Sequence, residues 1–209
     1  MAHIPDGVLS APVLVVGAAV SLAGCVYGLR RLEAERIPQV AVLSAVLFVA
    51  ALVHFPVGPS SVHLILNGLT GIVLGWAAFP AILVALLLQA VLFGFGGLIV
   101  LGVNVANMAL PAVLCGALFF AVARSGHRRR TIVAAGLAGG LGVVLTALLV
   151  ALALALSGRE FAAAAKLVVF THVPVAAIEA VFTAAVIGLL LRVKPEFLGL
   201  PCAGERRDG

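Results

Sequence analysis

The chain has 209 residues, of which 64% are hydrophobic and only 10% charged, with a formal net charge of +5 and a mean hydropathy of +1.28. A water-soluble domain is nearer half apolar and a quarter charged, so the composition excludes an ordinary soluble fold and makes the bilayer the solvent. Backbone groups in hydrocarbon must be paired within each segment, and long Ala, Leu and Val runs without strand alternation exclude a barrel.

The expectation is therefore one all-α integral membrane domain covering residues 1–209. Apolar runs of spanning length lie near residues 11–29, 39–55, 63–79, 81–95, 104–123, 131–156 and 168–192, about seven transmembrane helices in all. The third and fourth are divided by Ala77, Ala78, Phe79 and Pro80, where proline stops one helix and starts the next; without that break the count falls to six. No removable signal peptide is expected, because the first residues carry no basic charge and the first run ends in Arg30 and Arg31, not in a cleavage site.

Basic residues gather in cytoplasmic loops. Arg30, Arg31 and Arg36 follow the first span, Arg124, Arg128, Arg129 and Arg130 the fifth, and Arg192, Lys194, Arg206 and Arg207 the last, which places eleven of the thirteen Lys and Arg residues on one side. Seven spans then give an N-terminus outside and a C-terminus in the cytoplasm, with residues 1–10 as an outer loop and 194–209 as a loosely ordered cytoplasmic tail. The basic residues are explained by this topology, and nucleic acid is not expected as a partner.

The same topology puts His3, His54, His63 and His172 at the outer face and leaves His127 in a cytoplasmic loop. Four imidazoles at one surface of a chain poor in polar groups point to a transition-metal ion arriving from outside. Cys25, Cys115 and Cys202 are far apart and read as small packing residues.

The N-terminus is the most specific feature, since an amine followed closely by His offers chelating nitrogens in a planar arrangement suited to Ni²⁺ or Cu²⁺. With Met1 retained, its amine, the amides of Ala2 and His3 and the His3 imidazole supply four nitrogens. With Met1 removed, Ala2 becomes the terminus and three nitrogens remain, so a second histidine completes the plane. Both forms stay open. Pro5-Asp6-Gly7 supplies a turn that folds this terminus back on the bundle.

Met-Ala-His-Ile-Pro-Asp-Gly resembles the Met-His-Ile-Pro-Asp-Gly start of the CbiM/NikM family, the substrate-binding components of cobalt and nickel energy-coupling factor (ECF) transporters. The likeness continues through Ser61 to Gly68, Gln89-Ala90 to Phe95-Gly96-Gly97, Leu101 to Asn104, and His172-Val173-Pro174 to Glu179. It implies metal capture by the N-terminal amine, the amide and imidazole of His3, and a further histidine, best matched by His63, with His54 as competitor. The metal set is thus Met1, Ala2, His3 and His63. His54, Gln89, Asn104, His172 and Glu179 are additional or supporting candidates, and Asn67 and Asn107 are expected to join helices by hydrogen bonds. The extra Ala2 departs from the family pattern, as does Phe95, where many relatives carry histidine.

The resemblance further implies a membrane coupling subunit, two cytoplasmic ATPases and a small accessory membrane protein as partners in a prokaryotic cytoplasmic membrane, Ni²⁺ or Co²⁺ as cargo in the supply of metal for processes such as cobalamin biosynthesis, and no cofactor. The chain has no Walker A sequence, no H-E-x-x-H and no G-x-S-x-G, so neither ATP hydrolysis nor another enzymatic activity is expected of it. A membrane component for another small solute is the alternative.

Overall fold

The structure, a computed structural model, describes residues 3–57, 60–124 and 127–198. Seven α-helices occur among them: α1 (Ala11–Arg30), α2 (Ile37–Ala50), α3 (Asn67–Leu74), α4 (Ala78–Phe93), α5 (Leu101–Ala123), α6 (Arg128–Ser157) and α7 (Ala162–Val193). Pro12 and Pro38 sit in the first turns of α1 and α2, where a missing amide hydrogen costs nothing. Five helical stretches are long and apolar enough to cross a membrane, with Asn67–Phe93 counted as a single stretch.

That stretch is not one helix. A 3-10 turn at Gly75–Ala77 separates α3 from α4, and Gly75 has φ +55°, a conformation that glycine adopts without a Cβ clash. His63 and Ile65, just before α3, share a cavity with Ile82, Ala85, Leu86 and Gln89 of α4. An unbroken helix would hold Asn67 and Gln89 about 33 Å apart, so the chain reverses here. The break falls earlier than the sequence suggests, and Pro80 lies in the first turn of α4, not at the boundary.

Further contacts fix the direction of each helix. Ser10 N–H donates to Ser157 Oγ at one end of the bundle, and at the other an Arg128 guanidinium nitrogen contacts Gly188 O and an Arg36 guanidinium nitrogen donates to Val73 O. Helices α1, α3, α5 and α7 run one way and α2, α4 and α6 the other. Arg30, Arg31, Arg36, Arg124 and Lys194 collect at one end, and His3 and His63 at the opposite end. Pro195–Leu198, expected to be loosely ordered, forms a 3-10 turn with Leu198 buried and Phe197 O accepting from Gln39 Nε2.

The all-α expectation has one exception. Strands β1 (His54–Val57) and β2 (Ser60–His63) pair antiparallel, His54 opposite His63, where the second and third spans were expected to end and begin. Pro56 and Pro59 lack the amide hydrogen that a continuing helix requires. In consequence α2 and α3 are short, and His54–Val57 and Ser60–His63 between them are extended.

Small residues bring the helices together. A Cβ on Gly71 of α3 would overlap the carbonyl of Ala112 on α5, and one on Gly116 of α5 would overlap the carbonyl of Gly71. Along the α6–α7 seam Gly136 faces Ala180 and Ala184, and Gly140 faces Ala176 and Ala180. These glycines thus serve packing within the bundle. Cys25 and Cys115 are buried free thiols; Cys202 lies outside the described residues.

Replacing Gly71 by Leu forces two backbones apart and is expected to destabilise the bundle by about 3 kcal/mol. The readout is a lower thermal unfolding midpoint in detergent; an unchanged midpoint would remove the close α3–α5 crossing from the account.

Candidate metal centre

His3 and Ile4 are buried at the end of the bundle opposite the basic loops, and the exposed Pro5-Asp6-Gly7 carries the chain back to α1 over its surface. Two sets of contacts with the α4–α5 region hold this segment. Asn104 of α5 bonds the backbone of Ile4 from both sides: Ile4 N–H donates to Asn104 Oδ1 at 3.1 Å and Asn104 Nδ2 donates to Ile4 O at 3.0 Å. Asp6 Oδ1 accepts from Val100 N–H at 2.9 Å. Val100 is the N-cap residue of α5, so a carboxylate from the terminus satisfies a helix-end amide and meets the positive end of the helix dipole.

The Gly96-Gly97 turn allows this approach. Gly96 has φ +75° and lies against His3 and Asn104, and a Cβ on Gly97 would collide with the Asp6 carboxylate. Phe95 N–H donates to Gln89 O at 3.2 Å, and its ring stacks near Phe93, with centroids 5.8 Å apart.

His3 and His63 are both buried, at 7% and 4% exposure, and their rings stack with centroids 5.0 Å apart and planes 20° apart. His63 Nδ1 lies 2.9 Å from Leu64 O. A carbonyl can only accept, so Nδ1 carries the proton and the lone pair of the neutral ring sits on Nε2, the arrangement suited to a metal-ligating imidazole. A cavity of about 10 Å³ is lined by both histidines together with Gln89, Met108, Leu47, Ala51 and Ile65. That is room for roughly one water-sized species. Gln89 is buried, its Nε2 reaches Leu47 O at 3.4 Å, and its Oε1 has no hydrogen-bond partner among the described residues.

The other candidates are dispersed. Met1 and Ala2 lie outside the described residues; His54 is described only by its backbone, which pairs with His63. His172 is buried on α7, with Nδ1 bonded to Val168 O of its own helix at 2.7 Å. Glu179, fully buried on α7, accepts from Ile65 N–H at 2.5 Å and Leu66 N–H at 2.8 Å. Asn67 Nδ2 donates to Thr146 Oγ1 at 2.7 Å and Gly142 O at 3.1 Å, joining α3 to α6. For Asn107, Oγ1 of Thr146 donates to its backbone carbonyl at 3.0 Å, while its own Nδ2 has no partner among the described residues.

Sequence reasoning missed the cap that Asp6 places on α5 and the place of Met108 in the cavity wall. The Pro-Asp-Gly spacing signals a turn, but nothing local signals a partner 94 residues away. Among the described residues no three His, Cys, Asp or Glu side chains gather in a metal-binding group. A metal held at this end therefore needs donors beyond those side chains.

Residues 3–197 match the family model CbiM, described as the cobalt uptake substrate-specific transmembrane region. A chain of Haemophilus influenzae named for metal transport is 44% identical over 94% of this chain and 96% of its own length. The fused nickel transport protein NikMN of Rhodobacter capsulatus is 34% identical over 98% of this chain and 67% of its own. A crystal structure of a truncated transition metal transporter superposes with a TM-score of 0.72 at 27% identity, covering 91% of this chain and 98% of that one. Matched along nearly its whole described length, with helices built to cross a bilayer, this multi-pass membrane protein belongs to the CbiM family of cobalt and nickel transport components.

Proposed function

We propose that the chain is the substrate-binding membrane component of an ECF-type importer, capturing Ni²⁺ or Co²⁺ at the outer face of a prokaryotic cytoplasmic membrane. The observation that carries this reading is the seating of His3 against His63 around a one-atom cavity, with the main chain of the terminus clamped beside them. Pockets for organic ligands run to about 300–1,000 Å³, so a cavity of about 10 Å³ favours an ion over another small solute.

In this reading, with Met1 removed, Ala2 supplies the amine, the amide and imidazole of His3 follow, and His63 Nε2 completes the plane; with Met1 retained, its amine, the amides of Ala2 and His3 and the His3 imidazole fill the plane and His63 stands beside it. Backbone nitrogen ligands also account for the lack of a three-side-chain cluster among the described residues. Planar nitrogen donors favour nickel slightly over cobalt. Asn104 and Asp6 hold the terminus in place, and Gln89 presents an amide oxygen to the cavity.

The helix directions support seven membrane passes in one domain, with residues 1–10 outside as the capture loop. Residues 194–209 then form the cytoplasmic tail, and the arginine-rich loops obey the positive-inside pattern. Transport energy then comes from two cytoplasmic ATPases acting through a membrane coupling subunit, with a small accessory membrane protein completing the assembly. The bound ion crosses as this subunit reorients against its partners.

Calorimetric titration of the purified protein is expected to give one tight equivalent of Ni²⁺ or Co²⁺. A short peptide added ahead of Met1 should abolish it, and His63→Ala should weaken it by more than the roughly 10–100-fold typical of losing a group that only orients a ligand. Absence of binding, or an extension that does no harm, defeats the N-terminal site.

Asn104→Leu removes both bonds to Ile4 and leaves two buried backbone groups unpaired. Its metal affinity should fall roughly 10–100-fold with the helical circular dichroism unchanged. Wild-type affinity in this variant would mean that the clamp does not order the ligands.

A further inference from the structure

Glu179 has a bonding pattern that neither ligation nor helix packing explains. It lies on α7, is 0% exposed, and is the one buried acid among the described residues. Its Oε1 accepts both Ile65 N–H and Leu66 N–H, while Oε2 has no partner among the described residues. The two amides belong to the irregular stretch that joins His63 to α3. Leu66 has φ +54°, the one positive value at a non-glycine among the described residues. Leucine keeps that conformation only where its surroundings impose it.

Leu66 is pinned on both sides. Its N–H goes to Glu179, and its carbonyl accepts Thr70 N–H at 2.9 Å and Thr70 Oγ1 at 2.7 Å. The stretch from His63 to Asn67 is thereby fastened to α3 by its own first turn and to α7 by a single carboxylate. Helix α7 is the least embedded of the long helices. It meets the bundle mainly along the glycine–alanine seam with α6, where Gly139 also faces Thr183 and the Glu179 carbonyl.

We propose that Glu179 is a positioning residue that latches the His63-bearing segment to α7, so that the seating of α7 against α6 governs whether His63 is presented to the metal. The inference rests on the metal-site reading above. An acid in a membrane helix is costly, and here it satisfies two backbone donors that no helix or ladder bond reaches. Displacing α7 withdraws the acceptor, frees Leu66 to leave its constrained conformation, and lets His63 swing away while the N-terminal nitrogens stay in place.

The test compares Glu179→Ala, Glu179→Gln and Gly140→Leu with wild type and His63→Ala, by nickel titration, the visible absorption of the bound nickel, and amide exchange at Ile65 and Leu66. Glu179→Ala should bind nickel roughly 10–100-fold more weakly, show the absorption spectrum of His63→Ala, and exchange the two amides faster. Glu179→Gln, whose amide oxygen accepts the same two bonds, should remain near wild type. Gly140→Leu, which pushes α7 off α6 without touching the centre, should weaken nickel binding and speed the same exchange even where Glu179→Ala fails to fold. Wild-type affinity and spectrum in Glu179→Ala, an equal loss in Glu179→Gln, or unchanged binding and exchange in Gly140→Leu each overturn the latch. A wild-type protein that binds no metal sinks the metal-site reading instead, and the exchange measurement then judges the latch alone.

Discussion

Every backbone amide and carbonyl within a bilayer-facing protein needs a partner, and at one end of this molecule helices do not supply them. The chain there runs as a terminal loop, a two-stranded hairpin and an irregular stretch. Irregular backbone at such depth is tolerated only where protein groups satisfy it. Three side chains do so: Asn104 for Ile4, Asp6 for Val100, and Glu179 for Ile65 and Leu66. Each joins segments far apart in sequence, and together they bracket His3 and His63.

The irregularity has a functional return. A continuous helix would have its main-chain nitrogens already engaged in bonds to the preceding turn, and its side chains would need several histidines or carboxylates to surround an ion. A terminus folded into the bundle instead brings His3 to the same point as the buried imidazole of His63. The chain thus needs few ionisable side chains in an apolar setting, where each is costly. The burial of His3 and His63 also limits their freedom before any ion arrives, so less ordering remains to be done on binding.

Much of the architecture was legible because it rests on composition and periodicity. The apolar runs that became α1, α5, α6 and α7 were placed within a few residues of their ends, and the arginine pattern separated the two ends of the bundle. The region between Ala50 and Ala78 was not legible. There Pro56, Pro59 and Gly75 override an apolar run of spanning length, and the distinction between a helix and an extended buried segment depends on partners such as Glu179 that come from elsewhere in the chain. Resemblance singled out His3, His63, Asn104 and Glu179. Local sequence gave no account of what Asn104 and Glu179 bond, because a carboxylate on α7 and an amide before α3 are neighbours only after folding.

The bundle is also graded in how deeply its helices are embedded. The α3–α5 crossing is so close that a methyl group cannot be inserted at Gly71 or Gly116 without overlap, and Asn67 ties α3 to α6 through Thr146 and Gly142. That crossing forms a stiff centre. Helices α1 and α7 expose broad apolar faces and are the least embedded of the long helices. The histidine centre spans this gradient. Its terminus is clamped to the stiff part through Asn104 and Val100, while the segment carrying His63 is shared between stiff α3 and peripheral α7. In the proposed site an ion bridging His3 and His63 would join the half held by α5 to the half shared with the least embedded long helix, and movement of that helix is the change that would separate its ligands.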